Sequence, residues 1–101
     1  MAIRIIKLVT KEEIIGDVQA DEGNGVVMIE SPMVLMPFQD EKKQIRINFI
    51  PYAPYAETKA VIGIYPHAIA SDYEPADDIR EHYRQSFGSG IQIVPSLVGV
   101  K

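Results

Sequence analysis

Apolar and polar positions alternate along most of the first seventy residues, in short runs broken by turn-forming residues. Ile3, Ile5, Ile6 and Leu8 crowd a first run, Ile3–Thr10, whose apolar positions fall on both sides of an extended chain. That pattern predicts a strand buried on much of both faces. After a polar turn at Lys11–Glu13, Ile14–Asp21 places Ile14, Gly16, Val18 and Ala20 on one face and Ile15, Asp17, Gln19 and Asp21 on the other. Gly16 stands where a side chain is expected, which marks a bend or a close backbone approach. Glu22-Gly23-Asn24-Gly25 is a turn, because Asn and Gly tolerate the positive φ that tight hairpins need.

Val26–Ser31 predicts a third strand, and Pro32-Met-Val-Leu-Met-Pro-Phe38 extends it through a bend. Two prolines argue against full pairing in a central strand, since neither has an N–H for the ladder. The segment therefore suits a barrel corner, an edge covered by a neighbouring subunit, or a bent strand within the chain's own core. Beyond an exposed turn at Gln39–Lys43, Gln44–Ile50 alternates Ile45, Ile47 and Phe49 against Arg46, Asn48 and Ile50. Pro51-Tyr-Ala-Pro-Tyr-Ala56 repeats a three-residue unit and predicts an extended, partly polyproline-like loop. Its Tyr52 and Tyr55 either stack on a base or a proline-rich partner, or pack on their own domain. Ala60–Tyr65 and Ala68–Ser71 predict two more strands around Pro66-His67.

The period then changes. Over Glu74–Phe87, Ala76, Ile79, Tyr83 and Phe87 recur at helical spacing. Asp72 or Glu74 can cap this helix and Pro75 suits its first turn. Asp77 and Asp78 favour the positive end of its dipole, Arg80 and Arg84 lie toward the other end, and Gly88 supplies a stop. Ile91–Val98 reads as a last strand or an arm reaching a neighbour. The expected class is mainly β, a small meander or barrel with one C-terminal helix. Residues 1–71 form the barrel and 72–101 the helix with its terminal strand or arm, all one domain.

Composition narrows the function classes. With 101 residues, 47% hydrophobic and 24% charged, the chain is globular, and no apolar run approaches the roughly 20 residues of a membrane span. The N-terminal apolar stretch is too short for a secretory signal. Zero cysteines exclude disulfides and Cys-based zinc sites, which suits a cytoplasmic protein. The net charge of −4 is unevenly spread: residues 39–59 hold four basic side chains against three acidic, while both flanking regions are acidic. One chain thus offers little of the clustered Lys and Arg that phosphate backbones demand, although repetition in an oligomer multiplies it.

Catalytic chemistry is hard to find. His67 and His82 stand fifteen residues apart without carboxylates at ligand spacing, so neither metal nor cofactor is expected. His82 reads as an i+4 partner of Asp78. Asp77 and Asp78, being adjacent on a helix, diverge by about 100° and serve the helix end. Asp21–Gly25 lacks the acidic positions of a calcium loop, and no nucleophile elbow or phosphate-gripping loop occurs. A non-enzymatic protein is expected.

The run Ile3–Ile29 resembles the first motif of the Sm-like (LSm) family: three bent antiparallel strands with a mid-strand Gly, then an acidic residue and an Asn around a tight turn. Gly16, Val18, Asp21, Asn24 and Val26–Ile29 follow that order. The segment Val61–Ala70, with Tyr65-Pro66-His67 at its turn, is similar to the second motif; Arg46-Ile47-Asn48 is the alternative. In the family the helix usually precedes the strands, whereas here it follows them. The two-proline segment and the helix before Gly-Ser-Gly look like divergent, phage-type members. The resemblance implies a cyclic homo-oligomer whose edge strands pair with the next subunit. It also implies single-stranded RNA bound near the ring centre, with Asp21 and Asn24 meeting a base edge while Tyr65 or His67 stacks. The alternative is a ring of the same shape that binds a protein partner and no RNA.

Overall fold

A computed structural model of the chain describes residues 2–19, 25–57 and 59–89, the last three by their backbone alone. Six strands and one helix follow in the order β1 (Ile3–Leu8), β2 (Glu13–Val18), β3 (Val27–Gln39), β4 (Ile45–Pro51), β5 (Val61–Ile64), β6 (Ile69–Tyr73) and α1 (Asp77–Ser89). A single 3-10 turn, Pro66–Ala68, joins β5 to β6. All strand pairs are antiparallel, in the order β4-β3-β2-β1-β6, and β5 pairs with the first part of β3. Because β5 runs through one short turn into β6, the sheet curls back on itself. The fold is the small, strongly bent antiparallel β-barrel with one C-terminal helix that the sequence predicts.

Two apolar clusters explain why β1 is apolar on both faces. Ile6, Leu8, Ile14, Ile29 and Ile64 fill the concave side, joined by Val18, Val27, Val34, Tyr52, Ile62, Ala68 and Ile69. Ile3, Ile5, Ile15, Met33, Leu35, Ile47 and Phe49 line the convex side, where Ile79 and Tyr83 of α1 cover them. The helix is therefore the lid of the second core, with Asp77, Glu81 and Arg84 left in water.

The bend lies in the middle of β3. Ile29 points to the concave side and Met33 to the convex side, although four residues would normally bring a strand back to the same face. Ser31, at φ 53°, supplies the extra half-period, and the register with β2 shifts across Gly16 at the same level. A Cβ on Gly16 would lie 2.5 Å from Ile29 Cγ1 and 3.1 Å from the Glu30 carbonyl oxygen. Glycine is required because the two strands touch there. The Tyr83 hydroxyl reaches across from α1 to the carbonyls of Ser31 at 2.9 Å and Glu30 at 3.2 Å. Burial, with the charges of Asp17 and Glu30, pushes its pKa upward.

Several expectations need correction. β3 is central in the sheet, although both of its prolines fall, as expected, where two-sided pairing is absent. Pro32 sits inside the register shift, and Pro37 pairs only with β4 because β2 reaches no further than Val34. Residues 52–56 are not extended: the Ala56 amide closes a turn on the Ala53 carbonyl at 3.0 Å. The helix begins at Asp77, not Glu74, and its stop lies past Gly88. Asp72 and Glu74 cap nothing, since both face Arg4, at 2.8 and 3.7 Å. Ala76 is exposed, off the buried stripe. Arg80 pairs back to Asp77 within the first turn, and His82 Nδ1 meets the Asp78 backbone carbonyl at 2.8 Å in place of its carboxylate. The expected strand or arm at Ile91–Val98 lies outside the described residues.

Candidate functional site

Tyr65 and His67 project from the corner between β5 and β6. Ile64, just before them, is buried in the concave core, while Ala68 and Ile69, just after, pack against it. Anchored on both sides, the intervening residues must bulge outward. Pro66 opens the 3-10 turn, where its missing N–H costs nothing, and the Ala68 amide closes it on the Tyr65 carbonyl at 2.9 Å. The Ala68 carbonyl in turn accepts the Val9 amide at 2.8 Å, tying the corner to the end of β1. Tyr65 is 59% exposed and His67 is also exposed; their ring centroids lie 6.1 Å apart at an interplanar angle of 48°. The pair offers two tilted π-faces to solvent on a backbone with little freedom to move.

The second turn of interest arrives at the same place. Gly25, at φ 81°, has Pro66 directly beside it: a Cβ there would stand 3.1 Å from Pro66 Cγ. The β2–β3 turn thus ends against the β5–β6 corner. Asp21 and Asn24, the other two expected base-contacting residues, lie outside the described residues.

The two tyrosines of the β4–β5 loop separate in role. Tyr52 is partly buried, packs against the concave core and donates its amide to the Pro32 carbonyl at 2.9 Å, so its ring takes part in the fold. Tyr55, at the tip of the turn, is 100% exposed. Sequence periodicity also hid a set of apolar side chains left in water: Met36, Phe38, Ile45 and Ile50 on β3 and β4, and Tyr73 on β6. Alternation groups Ile45 with the buried Ile47 and Phe49, whereas Ile50 falls on the face of Arg46 and Asn48. Only the strand ends of the finished sheet show that nothing within the described chain covers them.

Both outer edges of the sheet are open among the described residues, since β4 pairs only with β3 and β6 only with β1. No group of three or more His, Asp and Glu side chains gathers at metal-binding distance among the described residues. No helix there is long and apolar enough to cross a membrane. No family model matches the sequence, and no curated protein is significantly similar to it.

Proposed function

We propose that this is a non-enzymatic Sm-like protein that assembles into a homo-oligomeric ring and binds single-stranded RNA near the ring centre. The observation that carries the reading is the contact between Gly25 and Pro66. It joins the turn that follows Gly16 to the corner that holds Tyr65 and His67, two places 40 residues apart in sequence when counted from Gly25 to Tyr65. A bent five-strand path with two open edges supports assembly, because the unpaired N–H and C=O groups of β4 and β6 are satisfied by strands of the next copy. Tyr65 and His67 are the stacking groups of this reading, and Asp21 and Asn24 its base-edge contacts.

The test is fluorescence anisotropy of labelled oligo-uridine and oligo-adenosine at low and moderate salt, with Tyr65→Ala, His67→Ala and Asn24→Ala alongside the parent. Saturable, base-selective binding that these substitutions abolish supports the reading. Absence of binding at high protein concentration overturns it and leaves a second one, a ring that binds a protein partner. The fully exposed Tyr55 favours that second reading, because a ring presented to solvent on a tight turn is a natural anchor for another protein.

A further inference from the structure

The β3–β4 hairpin outgrows the rest of the sheet. Pairing with β2 ends at Val34, whereas pairing with β4 runs from Met33 to Gln39. On one face of this extension Phe38 sits opposite Arg46, Met36 opposite Asn48, and Val34 opposite Ile50. Directly opposed residues share a face, so Phe38, Met36 and Ile50 lie side by side with Arg46 and Asn48. Their exposures are 38%, 47% and 40% for Phe38, Met36 and Ile50. A monomer gains nothing by leaving these three side chains together in water.

The turn that closes the hairpin is built to present positive charge. Asp40 is turned inward: its carboxylate accepts the Lys42 and Gln44 amides at 2.9 Å each and Arg46 Nε at 2.7 Å. These bonds, the one from Arg46 foremost, hold its pKa below the usual carboxylate value. Lys42 and Lys43 remain exposed at the tip, with Glu41 beside them. Residues 40–46 carry three basic and two acidic side chains, a net +1, so the rest of the chain, at −4 in total, carries −5. The exposed aromatic and apolar face therefore adjoins a turn of net positive charge in an acidic protein.

We propose that this hairpin face is a second contact for single-stranded RNA. Phe38 stacks on a base, Asn48 reaches a base edge, and Lys42, Lys43 and the remaining N–H donors of Arg46 hold phosphates. An aromatic platform beside solvent-exposed cations is what single-strand binding requires, and charge selects a polyanion over a basic or neutral protein surface. The site is separate from Tyr65 and His67: Phe38 lies toward one end of β3, while Val27, at the other end, pairs with Ile64. The inference rests on the RNA reading above and adds a second place of contact to it.

Anisotropy with labelled oligo-uridine across a salt series tests it, using the parent, Lys42→Gln/Lys43→Gln, Phe38→Ala and Tyr65→Ala/His67→Ala, each checked for assembly mass by sedimentation. Loss of two phosphate contacts lowers the slope of log K against log salt by about 1.4 in the lysine variant. Loss of one stacked base weakens Phe38→Ala by roughly fivefold or more. A parent that binds while both hairpin variants keep its affinity and slope overturns the hairpin site and leaves the Tyr65–His67 reading standing. A parent that binds no RNA overturns both. A Phe38→Ala variant whose assembly mass changes makes the face a contact between copies, which also overturns the proposal.

Discussion

The Tyr83 hydroxyl stands 2.9 Å from the carbonyl oxygen of Ser31, the residue whose positive φ bends β3. A helix that follows the strands in sequence thus holds the backbone at the point where β3 bends. Removing the hydroxyl while keeping the ring isolates this bond. Tyr83→Phe leaves the Ser31 carbonyl without its partner in a largely buried place and lowers stability by about 1–2 kcal/mol. Urea denaturation measures it; an unchanged midpoint would show that the bond contributes nothing.

Alkaline pH probes the same contact. The folded-state pKa of Tyr83 is raised, so its neutral form is favoured by folding. Such a group contributes stability fully below the unfolded phenol pKa near 10, and that stability is lost as pH rises toward the folded value. Tyr73, raised by burial and by its bond to Glu13, acts in the same direction. Stability of the parent should be level through neutral pH and fall above about pH 10. The fall should be shallower in Tyr83→Phe, which retains only the Tyr73 contribution.

Gly16→Ala tests the strand contact. The new methyl would meet Ile29 Cγ1 and Cδ1 at 2.5 and 2.7 Å, and Ile29 is fully buried. Overpacking of this kind costs about 1–3 kcal/mol. Ile29→Val made in the Gly16→Ala background should cost less than in the parent, because it removes Cδ1, one of the clashing atoms. Additive losses in the double-mutant cycle would refute the steric account.

Ser31 offers a stabilising substitution. Its φ of 53° suits glycine, and its hydroxyl is buried without a hydrogen-bond partner. Ser31→Gly relieves both penalties against the greater unfolded-state freedom of glycine, for an expected net gain of about 0.5 kcal/mol. Ser31→Val should lose stability, since a β-branched residue strongly resists positive φ. Thermal melts of both variants decide it: a destabilised glycine variant would mean that the serine is needed for something other than its backbone geometry.

Asp40 governs the acid side for the hairpin. Its folded pKa lies below 3.8, so the contribution is present above the unfolded value and disappears as pH falls through the folded one. Asp40→Ala should flatten the loss of stability below about pH 4 and speed amide hydrogen exchange at Lys42 and Gln44. Exchange rates equal to the parent's would show that the turn stands without it.

Alternation by itself determined the strands, because a period of two survives whatever each face is packed against. It located the Ile3 and Ile14 strands to within a few residues and read β1 as buried on both sides. Gly16 was legible as a close approach, since a glycine inside an alternating run removes the side chain that would hold a neighbouring strand away. Helical spacing found the only helix among the described residues but started it three residues early, because Pro75 and the flanking acids resemble a cap whether or not the chain turns there. What remained hidden depends on residues far apart in sequence. Nothing local says that Ser31 reverses the facing of β3, that Tyr83 reaches its carbonyl, or that Gly25 rests on Pro66. Nothing local distinguishes Phe49, sealed beneath the helix, from Phe38, left in water on the same pair of strands. Burial is decided by which neighbour a strand finds, and for this chain that follows from a bend, a short turn between β5 and β6, and a helix folding back over the convex face.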